Sequence, residues 1–136
     1  TPKWPIWAGL ALEGICQKHF NQIREALGLL HIPCQVGTWR FVPSDKNQEG
    51  AQIDLLFDRE DGIISLCEIK YSKTPYVLDK AEAKALHKKA ELFAEKTKTL
   101  KRIQIHLITL SGLKENMWSE DTLNSSITLG TCLFSG

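Results

Sequence analysis

The chain has 136 residues, of which 43% are apolar and 24% charged, a profile that fits one globular domain large enough to bury its own core. Seventeen basic residues face sixteen acidic ones, so the net charge of +1 points to neither a nucleic-acid-coating nor a membrane-surface protein, and any basic patch has to be local. The apolar runs are too short to span a bilayer, and the scattered Cys16, Cys34, Cys67 and Cys132, with no CxxC pair or zinc-finger spacing, argue against a disulfide framework or structural zinc and for reduced thiols in the cytoplasm.

From about Ala8 to Leu27 the sequence reads as an amphipathic helix. Leu12, Cys16, His19, Ile23 and Leu27 recur in steps of three and four, and Gly28 and Pro33 stop it. Cys34 to Val42 reads as a strand, followed by the polar loop Pro43 to Gly50. Two further strands, Ala51 to Phe57 and Ile63 to Lys70, are joined by Asp58-Arg59-Glu60-Asp61-Gly62, which has hairpin-turn composition. A second helix is expected from about Asp79 to Lys96, a β-branched strand from Arg102 to Thr109, and an edge strand within Ser125 to Phe134. The expected class is α/β, a mixed central sheet flanked by helices.

The hairpin carries charge where a buried strand should have none. Asp54 stands between Ile53 and Leu55, and Glu68 and Lys70 flank Ile69. An unpartnered buried carboxylate is strongly unfavourable, so such placements need a reason. Strand alternation puts Glu68 and Lys70 on one face, with Asp54 able to approach them across the ladder and Gln52 on the same face as Asp54. Asp54, Glu68 and the carbonyl of Ile69 form an oxygen donor set of the kind magnesium uses, with manganese as a substitute. Lys70 could orient or deprotonate a metal-bound water, or screen charge growing on a phosphorane. The plainer reading is a salt bridge in which Lys70 neutralises Glu68 at a strand end.

"IDLLF", a short turn and then "ISLCEIK" resemble the PD-(D/E)xK signature of the restriction-endonuclease-like nuclease superfamily. "WAGLALEGICQKHFNQI", "GAQIDLLFDR", "CEIKYSKTPYVLDK" and "LITLSGL" extend the likeness to the C-terminal nuclease-like domain of prokaryotic AAA-type ATPases, from Trp7 to about Phe134. Ile53 stands where the motif has proline. The resemblance implies a restriction-endonuclease-like core and magnesium-dependent hydrolysis of nucleic-acid phosphodiesters, DNA being the expected substrate. It maps the site onto Glu13, Asp54, Glu68 and Lys70. Read alone, Glu13 is a solvent-facing residue on the flank of the first helix; the resemblance brings it to the metal. The resemblance also implies an auxiliary residue from the second helix. Lys89 is the candidate, because it falls beside Leu86 and Phe93 on the apolar side, where its amine either snorkels or reaches the site.

Lys80, Lys84 and Lys88 form a stripe of the kind usually left to solvent, and Tyr76 is placed to line a groove. Trp4, Trp7, Trp39 and Trp118 read mainly as core, and His19, His31, His87 and His106 as structural or surface residues. The chain opens at Thr1 without a methionine and is read as a single nuclease-like domain, residues 1–136, cut from a longer ATPase chain. It holds no GxxxxGK[ST], so ATP would bind elsewhere in that chain. A noncatalytic DNA- or partner-binding module with a vestigial site is the alternative expectation.

Overall fold

The computed structural model describes residues 17–129, with side chains from residue 20 onward. In chain order the elements are α1 (Gln17–Ala26), β1 (Cys34–Phe41), β2 (Ala51–Arg59), β3 (Ile63–Lys70), α2 (Lys80–Thr97), β4 (Arg102–Thr109), α3 (Met117–Thr122) and β5 (Ser125–Thr128). The strands form one sheet in the order β1-β2-β3-β4-β5. The two β1–β2 and β2–β3 junctions are antiparallel, and β3–β4 and β4–β5 are parallel. Parallel neighbours need a crossover, and α2 and α3 supply it. The protein is therefore α/β, with a mixed five-stranded sheet.

Helices cover both faces. On one, Phe20 and Ile23 of α1 and Leu29 pack on Leu55, Phe57, Cys67, Ile108 and Ile127. On the other, Phe93 of α2 meets Trp39, Ile53, Leu56, Ile64 and Leu66, while Ala83 and Leu86 meet Leu78 and Ile105. Among the described residues Phe57, Phe93, Leu66 and Leu107 are fully buried, so the sheet is buried on both sides, as a partly parallel sheet requires.

The ends of α2 follow from local chemistry. The Asp79 carboxylate accepts the Glu82 backbone N–H at 2.8 Å, and Lys98 closes the helix in a left-handed conformation (φ 56°) with its N–H bonded to the Ala94 carbonyl. Asp79 is thus the cap of the helix and not its first residue. β2 runs to Arg59, two residues past the expected end, and Gly62 (φ 87°) then makes the turn that leads into β3. α3 was not expected from the sequence. It is six residues long, too short to show a helical period, and is held by a reciprocal capping box between Asn116 and Ser119. The first half of the expected N-terminal helix, including Glu13, and the end of the expected last strand lie outside the described residues. Trp39 is core as expected and Trp118 packs beside Leu86, whereas Trp4 and Trp7 lie outside the described residues.

A candidate active site where the central hairpin divides

The site begins with an irregularity in β2. Gly37 pairs with Leu56 and Trp39 with Ile53, so two residues of β2, Asp54 and Leu55, oppose the single Thr38 of β1. That is a β-bulge, and it resets the alternation of side chains along the strand. Ile53 and Leu56 both pack on the α2 side although they are three apart, while Leu55 packs on the α1 side. Asp54 projects away from Ile53 and accepts a 2.6 Å hydrogen bond from the amide of Gln52. The expected sharing of a face by Gln52 and Asp54 is therefore present.

The second feature is a fork. The β2–β3 ladder runs from Asp58↔Ile64 to Leu55↔Cys67. Beyond it, β2 stays paired to β1 through Ile53, Gln52 and Ala51, and β3 stays paired to β4 through Glu68, Ile69 and Lys70. Asp54 and Glu68 are the first residues past the last shared pair, one on each lip.

On the β3 lip, alternation runs unbroken. Cys67 and Ile69 pack into the α1-side core, so Glu68 and Lys70 face α2. There Glu68 lies between two ammonium groups, Lys89 Nζ at 3.2 Å from one carboxylate oxygen and Lys70 Nζ at 3.8 Å from the other. Lys70 in turn lies 3.7 Å from Glu82 and 5.6 Å from the centre of the Tyr76 ring, which gives its charge a π-face to rest on. All four charged side chains of this chain of ion pairs keep between about a fifth and a third of their surface exposed, so solvent screens them and reaches them.

The structure thus brings Glu68, Lys70 and Lys89 together, with the Ile69 backbone between the first two. Asp54 stands across the fork from them, and its hydrogen bond among the described residues is to Gln52. The bulge is the reason Asp54 does not simply share the face of Glu68, as uninterrupted alternation would have it. Glu82 was missed by sequence reasoning, because its approach to Lys70 depends on how α2 crosses β3. Its position one turn inside the helix, after a capping Asp79, was the available signal. Cys67, beside Glu68, is no nucleophile: burial, and secondarily the Glu68 charge, push its thiol far above the usual range.

Asp54 shares a face with Gln52, opposite Ile53, whereas Glu68 faces α2, so the two carboxylates are not brought together as strand alternation predicts. Carboxylate oxygens are offered, and among the described residues no group of three or more His, Cys, Asp or Glu converges. Two carboxylates is the complement with which magnesium is commonly held, water and substrate phosphate supplying the rest.

A groove of about 800 Å³ opens beside the site, between α2 and the segment that leads into β2. Lys89 lines it, so the groove ends one side chain from Glu68. Among the described residues no helix is long and apolar enough to cross a membrane.

No protein-family model matches the chain, and no curated protein matches it. Among solved structures, that of a protein of unknown function, AF1548, is similar at a TM-score of 0.46 and 14% identity over 80% of this chain, which spans 55% of that chain's length.

Proposed function

We propose that this chain is a metal-dependent nuclease domain with a restriction-endonuclease-like core, which hydrolyses phosphodiester bonds of nucleic acid, DNA first, and is carried at the end of an ATPase chain. One observation carries the reading. Where β2 and β3 part, the first residue on each lip is an acid, and two lysines from two different elements stand at one of those acids. Glu68, with the Ile69 carbonyl beside it, would hold magnesium, or manganese in its place, and Asp54, across the fork, would join it by turning from Gln52. Glu13 is assigned to the same ion by resemblance. A bound ion of this kind supplies Lewis acidity and a more acidic water.

The chain's own residues do the rest. The ammonium groups of Lys70 and Lys89 present fixed positive charge where a phosphate oxygen would gain negative charge, and fixed charge needs no reorganisation during the reaction. Lys70, held by Glu68, Glu82 and the Tyr76 ring, is positioned to orient the attacking water. Water adds to phosphorus and gives up one proton to solvent, the bond to the leaving sugar oxygen breaks, and that oxygen takes up a proton from solvent.

A specific observation also favours a second reading. Glu68 is already neutralised by two lysines, and Asp54 is hydrogen-bonded to the uncharged Gln52 amide, as in a site that binds nucleic acid or a partner and no longer cuts. Incubating the protein with single-stranded, duplex and branched DNA in magnesium or manganese, beside Asp54→Ala, separates the two. Metal-dependent cutting that the variant lacks supports the nuclease; absence of cutting on every substrate supports the binding module.

A further inference from the structure

The groove beside the site has features that a duplex does not need and an unpaired strand does. One wall is α2, which lines the groove with Lys84, Lys88, Lys89 and Lys96. The opposite wall is the segment Asn47 to Ala51. It is held close, since a Cβ on Gly50 would sit 2.9 Å from the Phe41 carbonyl oxygen. Between the walls lies the half-buried Phe41, stacked on Trp39 at an interplanar angle of 11° and covered by the Lys96 ammonium 4.7 Å from its ring centre. Glu49, Glu91 and Glu95 temper the charge: Glu95 is paired with Lys96 at 3.9 Å, and Glu49 with Lys88 at 3.6 Å. That pair is well exposed on both sides, so it yields readily to a competing anion.

Lysines along a channel, an aromatic ring on its floor and a volume near 800 Å³ match the way unpaired nucleic acid is held, with phosphates tracked by charge and bases stacked on rings. A cavity of that size takes a ligand of drug-like bulk, far less than a duplex whose major groove alone is about 12 Å wide. We infer that this groove binds an unpaired nucleic-acid strand and leads it past Lys89 to Glu68. A base displaces Lys96 from Phe41, and the freed ammonium meets the following phosphate. The inference rests on the nuclease reading for its substrate class only, because binding in the groove does not require cutting.

The test is binding of a fluorescent oligothymidylate, and of a hairpin duplex, to the full protein in chelator, where no metal-dependent cutting occurs. Single strand is expected to bind more tightly than duplex. Lys84→Gln with Lys88→Gln should make the slope of log affinity against log salt shallower by about 1.4, two phosphate contacts at roughly 0.7 each. Phe41→Leu, with its melting temperature measured alongside, should weaken single-strand binding about five- to hundred-fold and leave polyglutamate binding unchanged. Equal affinity for duplex, a salt slope unaltered in the lysine variant, or polyglutamate competing as well as the oligonucleotide would each overturn the inference. Single-strand binding through the groove without cleavage in magnesium would leave it standing and remove the nuclease reading instead.

Discussion

Glu68 is the residue on which the two readings divide. Its carboxylate lies between Lys70 and Lys89, so Glu68→Gln removes an attraction and leaves two ammonium groups without the anion that offsets their mutual repulsion. A small loss of stability is expected, within about 1 kcal/mol for pairs this exposed, together with complete loss of cleavage. Lys70→Ala should cost two to three decades of rate, roughly 3–4 kcal/mol of transition-state stabilisation, while metal binding persists. If both variants lose several degrees of melting temperature and no activity exists to lose, the ion pairs are structural. His106 makes a separate, pH-dependent contribution. Its Nδ1 is 2.6 Å from the Ser125 hydroxyl, its Nε2 is buried with no hydrogen-bond partner among the described residues, and burial, then the Arg59 charge, hold its pKa down to about 4 from an ordinary 6.5. Between those values the unfolded chain binds a proton that the folded chain refuses. Stability is therefore full above about pH 6.5 and is lost as the pH falls toward 4. The melting temperature should decline across that window, and the decline should flatten in His106→Gln; an equal decline in the variant would assign it to other groups.

At the scale of elements, α2 carries both a structural and a functional load. Its inner face fills the sheet through Leu86 and Phe93, its flank delivers Lys89 and Glu82 to β3, and it also walls the groove. Its ends should be tunable without touching the site. Asp79→Ala removes the acceptor for the Glu82 N–H and should cost about 1 kcal/mol. Lys98→Gly should stabilise by a few tenths to 1 kcal/mol, because a residue with a Cβ is strained at φ 56°. Thermal melts of both, with DNA binding unchanged, check this. The order of the long elements was legible from the helix-forming composition of α2 and from the apolar, β-branched strands with their alternation of faces. The face shared by Glu68 and Lys70 was legible for the same reason. The side on which Asp54 falls was not, because a bulge adds one residue against the partner strand and reverses parity. Only the pairing of Ile53 with Trp39 and of Leu56 with Gly37 reveals it. α3 was hidden by its brevity, and the approach of Glu82 to Lys70 by its dependence on packing.

For the whole molecule, the proposed function requires one divalent ion to be held by acids from both strands of the fork at once. An ion that binds the folded state preferentially also raises the melting temperature by mass action. Calorimetric titration of the full protein with manganese, for wild type, Asp54→Asn and Glu68→Gln, reads this most directly. A binding event is expected in wild type that either substitution abolishes, with the melting temperature of each variant no longer rising in the metal. No binding to wild type, or binding that survives both substitutions, would contradict it.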